Sequence, residues 1–196
     1  MTATADARPP ASEPDETRQR SGTRQVIEWL LLIAAALALA LLIKAFLLQA
    51  FYIPSESMVP TLETNDRVLV NKLSYKLHDV NRGDIIVFEA PEDEDQDVKD
   101  LVKRVIGLPG DQVEFREGSV YVNGAPLEES YLAPGTVSSQ SCGVAASVSV
   151  PPNSYWVMGD NRGASKDSRC FGAIPEGDIV GRVFFKMWPL SDIGFM

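Results

Sequence analysis

Apolar and polar positions form two distinct patterns along this chain, and each predicts a different architecture. From Trp29 to Leu48, 19 of 20 residues are apolar, with Lys44 the exception. A helix rises about 1.5 Å per residue, so this run covers roughly 30 Å, the hydrocarbon thickness of a bilayer. Core helices of soluble domains are seldom apolar on every face. The pattern therefore predicts a transmembrane anchor over residues 26–48, with Glu28 and Lys44 snorkelling to the two interfaces. Ala36-Leu37-Ala38 has the look of a cleavage box, yet the apolar run continues ten residues past it to Leu48. A cleavage site ordinarily ends such a run, so the anchor reads as uncleaved.

Beyond the anchor the period shortens. Val68-Leu69-Val70, Ile85 to Phe88, Leu101 to Ile106 and Ile179 to Met187 are short runs of β-branched and aromatic residues, bounded by Gly, Pro, Asp or Asn. Asp111 to Arg116 and Ser119 to Val122 flank Glu117-Gly118, a two-residue hairpin signal, and Asn123-Gly124 supplies another turn. No long period of 3.6 recurs after Leu48. The expected fold is mainly β: a single N-terminal transmembrane helix, then an antiparallel, barrel-like domain over residues 49–196. Residues 89–100 read as a solvated acidic loop. Residues 133–153, with five serines, three prolines and Cys142, read as a mobile loop.

Charge adds direction. Residues 1–25 are rich in Pro, Ser, Thr and charge and predict a disordered tail. Arg8, Arg18, Arg20 and Arg24 precede the apolar run, whereas positions 46–65 carry no Lys or Arg. By the positive-inside bias the N-terminus is cytoplasmic and everything after Leu48 is extracytoplasmic, in a single-pass cell-membrane protein. The formal net charge is −9, which argues against a nucleic-acid partner. One histidine and two cysteines argue against a metal site. His78, in Leu77-His78-Asp79, reads as an exposed turn residue, so a serine nucleophile would need another base.

Four segments put reactive or rigid residues where strands should end. They are Ser55-Glu56-Ser57-Met58-Val59-Pro60-Thr61-Leu62, Gly83-Asp84-Ile85-Ile86-Val87-Phe88, Lys103-Arg104-Val105-Ile106-Gly107-Leu108-Pro109-Gly110-Asp111, and Gly159-Asp160-Asn161-Arg162 continuing through Ser165-Lys166-Asp167-Ser168-Arg169. Singly, each is an ordinary turn or strand edge. Together, in this order behind an N-terminal anchor, they resemble the type I signal peptidases, membrane-bound Ser/Lys leader peptidases of peptidase family S26.

The resemblance covers roughly residues 46–196 and implies a serine endopeptidase that cleaves signal peptides from exported preproteins at Ala-x-Ala-like sites. Ser57 matches the nucleophile and Lys103 the general base. Ser55 matches the hydroxyl that joins the Ser57 N–H in the oxyanion hole, and Ser165 the serine that orients the lysine amine. Asp167 and Arg169 match a supporting ion pair, Arg104 the arginine beside the base, and Asp160 falls among the supporting charges. No cofactor and no metal are implied; the partners are preproteins and the lipid bilayer. Gly163-Ala164 stands where the family often has Asp-Asn. The short span between the third and fourth motifs implies only a small inserted cap region.

A lysine acts as a base only when neutral. At a reference pKa near 10.4, its neutral fraction at pH 7 is about 4 in 10,000; at roughly 8 it is about one in ten. Burial produces that change. In an alternating strand Lys103 shares a face with Leu101 and Val105, so it can be buried while Arg104, pointing the other way, stays wet. Phe51, Tyr52, Ile53 and Met58 are apolar residues close to the span, available either to rest on the bilayer or to fill the core. Cys142 and Cys170 either form a disulfide, in keeping with an oxidising compartment, or remain two thiols. Two other functions remain open: a catalytically silent, membrane-tethered β-domain that binds envelope proteins, and a dyad confined to self-processing. The first leaves Ser57 and Lys103 standing in their motifs without a reason.

Overall fold

The structure, a computed structural model, describes residues 22–91 and 98–196. It divides into two units, one ending at Leu41 and the other beginning at Leu42. Helix α1 occupies Gly22–Phe46. Within it, residues 24–42 are long and apolar enough to cross a membrane, and none of that stretch is buried. No Pro or Gly interrupts the helix after Gly22. The helix stops two residues short of the end of the apolar run. Leu48 instead opens a strand, because its backbone and those of the next four residues find partners across a ladder. The tail expected over residues 1–25 lies outside the described residues up to position 21, as do the Lys44 side chain and residues 92–97 of the acidic segment.

Among the described residues, twelve strands and two further short helices come after α1. In chain order they are β1 (Leu48–Tyr52), β2 (Arg67–Asn71), α2 (Ser74–Leu77), β3 (Ile85–Glu89), β4 (Asp100–Gly107), β5 (Gln112–Arg116), β6 (Ser119–Val122), β7 (Ala125–Pro126), β8 (Ser147–Ser149), β9 (Ser154–Met158), α3 (Ser168–Phe171), β10 (Ile174–Pro175), β11 (Ile179–Trp188) and β12 (Gly194–Phe195). The larger sheet runs β1-β2-β11-β3-β4-β9-β10, with β12 added to β11. A smaller sheet runs β7-β6-β5-β8. Every pairing is antiparallel. Since β4 pairs directly with β9, the whole smaller sheet is an insertion between those two strands. This is the small cap that the short inter-motif span implied.

The apolar runs of the sequence became β2, β3, β4, β5, β6 and β11. Glu117 and Gly118 both adopt positive φ, 47° and 78°, the left-handed pair that a tight β-hairpin requires. Strands β1, β9 and β8 were not legible; β8 lies inside the segment read as loop, where Gln112 to Glu114 pair with it. All four residues from Ile85 to Phe88 are buried, because β3 is covered on both faces. Ile85 and Val87 join a cluster with Ile53, Met58, Leu62, Val68, Val70 and Val183. Ile86 and Phe88 join a second with Val105, Tyr155, Val157 and Ile174. A third cluster, with Trp156, Ile106 and Met158 against Val113, Phe115 and Val120, seats the smaller sheet on the larger one. Burial on this scale, about 25 cal/mol per Å² of apolar surface, fixes the frame on which the polar residues are hung.

Candidate active site

Ser57 lies on the connection between β1 and β2. That connection is pinned on both sides of the serine: Ile53, Met58 and Leu62 are buried in the first cluster. Backbone bonds from Val59 N–H to Glu56 O and from Leu62 N–H to Met58 O close the turns between them. Of the apolar residues considered for a bilayer contact, Ile53 and Met58 are therefore core, Phe51 is half-buried, and Tyr52 is exposed. Two other exposed residues, Trp188 and Phe195, stand on β11 and β12. Tyr52 and Trp188 both pair with Arg67 across three neighbouring strands.

Lys103 comes from β4. Its Nζ donates to Ser57 Oγ at 2.9 Å and to the Val102 carbonyl at 3.1 Å. The lysine is 2% exposed and the serine 9%. Ser55 Oγ lies 3.3 Å from Ser57 Oγ. Beside the pair is a cavity of about 150 Å³, bounded among others by Ile53, Pro54, Met58, Leu101 and Val102. The hydroxyl of Ser57 and the amine of Lys103 stand 46 positions apart in the chain, and the sheet joins them.

Strand β9 explains the fourth motif. It pairs with β4 up to Met158 opposite Arg104, and one further step of that register sets Gly159 beside Lys103. A Cβ at Gly159 would lie 2.4 Å from the Ser57 carbonyl oxygen and 2.2 Å from Ser165 Oγ, so only glycine lets the two chains approach. Asn161 N–H donates to that same Ser57 carbonyl at 3.0 Å. Ser165 Oγ is buried against Gly159 and has no hydrogen-bond partner among the described residues. The bond to the lysine amine that its motif position implied is not formed here. Asp167 accepts from Gly159 N–H at 3.0 Å and grips Arg169 through two bonds of 2.8 Å. Arg169 then donates to Arg162 O and Ser139 O. At position 163 the space around a Cβ is open, so glycine there loses a side chain without leaving a hole.

One expectation is overturned. Arg104 does not stay wet: it is 8% exposed. Its Nε and Nη2 bind the two oxygens of Asp160 at 2.9 and 2.7 Å, and Nη1 donates to Gly83 O at 2.9 Å. Thr61 Oγ1 donates to Asp160 Oδ2 at 2.5 Å. The guanidinium also lies 3.9 Å over the ring of Tyr131. Alternation turned Arg104 away from Lys103 as expected, but a second layer of polar partners covers that side. A buried cation survives only when paired and hydrogen-bonded in this way.

Three contributors carried no signal of their own: Ser138, Glu129 and Tyr131 reach the motif residues from neighbouring segments. Glu129 pairs with the buried Arg162, to which Ser138 Oγ is also bonded. Burial first, and Glu129 second, push the Tyr131 hydroxyl above its ordinary value. Thr61 and Arg162 stand inside the motifs; Glu129, Tyr131 and Ser138 stand in none. Cys142 and Cys170 form a disulfide with 4.9 Å between Cα atoms, tying the connection between β7 and β8 to α3. His78 is exposed, with Nδ1 2.9 Å from Asp79 O. No group of three or more His, Cys, Asp or Glu is arranged to hold a metal among the described residues.

Known proteins resemble this chain over most of its length. The family model for signal peptidase, peptidase S26, matches residues 26–188. Signal peptidase I of Leptolyngbya laminosa is 41% identical over 195 residues, covering 97% of this chain and 91% of that one. A probable signal peptidase I-2 of Synechocystis sp. is 40% identical over 92% of this chain and 83% of its own. Signal peptidase IB of Staphylococcus aureus is 37% identical over 86% of this chain and 93% of its own. A crystal structure of a signal peptidase I from Enterococcus faecalis aligns with 54% of this chain and 97% of its own, at 33% identity and a TM-score of 0.45. With a match that runs from the apolar helix to the end of β11 and relatives alike over nearly their whole length, the chain belongs to the type I signal peptidases of the peptidase S26 family.

Proposed function

We propose that Ser57 and Lys103 carry the reaction of this signal peptidase, a serine endopeptidase whose substrates are preproteins. The observation that carries the assignment is the 2.9 Å contact between Lys103 Nζ and Ser57 Oγ in a buried setting. Removing water from around an ammonium favours the uncharged amine, which is the form a base must have. Neutral Lys103 takes the Ser57 proton as Oγ attacks the scissile carbonyl carbon. The carbonyl π pair moves to oxygen, where the Ser57 N–H and the Ser55 hydroxyl are the proposed donors. Collapse breaks the C–N bond, Lys103 returns the proton to the departing amine, and an ester joins the signal peptide to Ser57. Water, deprotonated by Lys103, then hydrolyses that ester.

Residues of the third and fourth motifs act behind this pair as frame: Asp167 and Arg169 hold the loop that carries Ser165, and Asp160 and Arg104 brace the strand that carries Lys103. The neighbouring cavity is small and apolar, in keeping with Ala-x-Ala sites. The membrane completes the reading. The anchor lies within α1, the peptidase domain begins with β1, and the arginine excess before the apolar run favours a cytoplasmic N-terminus. The disulfide favours an oxidising, extracytoplasmic side for the domain. Tyr52 and Trp188, which flank Arg67, and the exposed Phe195 have the aromatic and cationic character of residues that settle at a bilayer interface.

The test compares wild type, Ser57→Ala and Lys103→Ala, all full length in vesicles, on a preprotein with an Ala-x-Ala site. Cleavage retained by Ser57→Ala removes the nucleophile assignment. An acid limb of the pH–rate profile near 10, the value of free lysine, removes the neutral-base assignment. Protease digestion of intact spheroplasts that spares residues 49–196 removes the orientation.

A further inference from the structure

We infer that Glu129 and Tyr131, which lie on the connection between β7 and β8 of the smaller sheet, are positioning residues for the reaction. They act on the reacting pair through Arg162 and Arg104. The inference rests on the Ser57/Lys103 assignment above. Glu129 holds the fully buried Arg162 through both carboxylate oxygens, and Arg162 Nε donates to Gly159 O at 2.9 Å. Glu129 Oε1 also accepts the Tyr131 hydroxyl at 2.8 Å, and the Tyr131 ring lies beneath the Arg104 guanidinium at 3.9 Å. Arg104 in turn holds Asp160. A ring of contacts thus closes through Gly159-Asp160, Arg104, Tyr131, Glu129 and Arg162.

What this ring surrounds gives it a role. Gly159 lies against the Ser57 carbonyl, Asn161 N–H donates to it, and Arg104 is the neighbour of Lys103 on β4. A carboxylate and a ring from the inserted cap therefore fix the loop that fixes Ser57 and the strand that fixes Lys103. Displacing a reacting group by about 1 Å costs on the order of 100-fold in rate, with little effect on groups that merely bind substrate. The cavity beside the dyad is lined by none of these residues. Two side chains supplied from outside the motifs set the geometry that the motif residues use.

The experiment measures kcat and KM on a preprotein for full-length Glu129→Gln, Tyr131→Leu, Tyr131→Phe and, as reference, Ser57→Ala, each assayed at least ten degrees below its melting temperature. Glu129→Gln removes the charge that grips Arg162, and Tyr131→Leu the ring under Arg104; each is expected to lower kcat at least tenfold with KM changed less than twofold. Tyr131→Phe keeps the ring and is expected to restore kcat to within threefold of wild type, which a loss of hydroxyl packing alone would not do. Wild-type kcat in both Glu129→Gln and Tyr131→Leu overturns the inference, as does a change confined to KM or equal losses in Tyr131→Leu and Tyr131→Phe. Should Glu129→Gln fail to fold, the Leu and Phe pair at position 131 decides alone. Activity surviving in Ser57→Ala refutes the dyad itself, a separate result.

Discussion

Two basic side chains stand next to each other on β4 and the molecule treats them in opposite ways. Lys103 directs its hydrogen bonds to a hydroxyl and a backbone carbonyl, while Arg104 is held by both oxygens of a buried carboxylate. Both are buried, so exposure does not distinguish them. Chemistry does. An arginine keeps its proton at any pH a protein survives, so its partner must be an anion and its use is structural. A lysine can give its proton up, and a partner that also exchanges a proton turns that into catalysis. Adjacent strand positions point to opposite faces, which lets one strand serve both purposes without either charge meeting the other.

The largest effect comes from trying to exchange those roles. Lys103→Arg puts a permanent cation beside Ser57 and supplies no base, and is expected to reduce kcat on a preprotein by about 10⁴-fold or more, as is Lys103→Ala; subtraction of a triad member in other serine hydrolases has effects of that size. Appreciable turnover by Lys103→Arg would break the contrast. Next in size, Asp160→Ala strands the Arg104 guanidinium without its anion. Loss of one partner of a buried pair costs about 3–5 kcal/mol, read as a shift of the urea unfolding midpoint. An exposed pair would cost far less, so a change under about 1 kcal/mol would mean that Arg104 is not held as described.

Smaller again is the disulfide. Closing the loop between Cys142 and Cys170, 28 residues apart, stabilises by about 3–4 kcal/mol on chain entropy alone. Reduction, or Cys142→Ser with Cys170→Ser, is expected to lower the unfolding midpoint by up to that amount. A further effect is confined to low pH. Burial raises the Asp111 carboxyl, but the Leu108 N–H, the Asn123 amide and Arg82 outweigh it, and the carboxyl is held below its ordinary value. A depressed carboxylate stabilises the fold above its unfolded value, near 3.9, and that contribution disappears as pH falls through the folded value. Asp111→Asn should therefore flatten the stability curve below about pH 4 relative to wild type, and an unchanged acid slope would contradict the pairing. Least of all, burial lowers Lys186, yet Asp192 and Asp66 raise it further. A raised lysine stabilises below its unfolded value and ceases to do so as pH climbs through the folded one. Lys186→Met is expected to remove a stability loss that wild type shows above about pH 10.

How much of the molecule is legible in its sequence depends on whether a feature is local. The motifs name Ser57, Lys103, Arg104, Asp160, Asp167 and Arg169, and the structure gathers them within one end of the larger sheet. Their environments are another matter. Arg104 was expected in water because nothing in Lys103-Arg104 tells which neighbours will cover the far face of β4; Asp160 and Tyr131 do so from 56 and 27 positions away. Ile53 and Met58 are available for the bilayer as long as only their apolarity is known, and the packing of β2 and β3 against them claims both for the core. Strand β9 is hard to see in the sequence because Ser154 to Met158 is one short run among loops, and it becomes a strand by pairing with β4.

The amino-acid order by itself determined the apolar helix, the β character of the chain beyond it, the family and the two residues proposed for the reaction, because periodicity, turn chemistry and motif spacing are written in neighbours along the chain. Only the tertiary structure decided which charges are dry, which hydroxyl reaches which amine, that Gly159 must be bare and that Glu129 and Tyr131 take part. Those are facts of distance and solvent, and both are set by segments far apart in sequence meeting across a sheet.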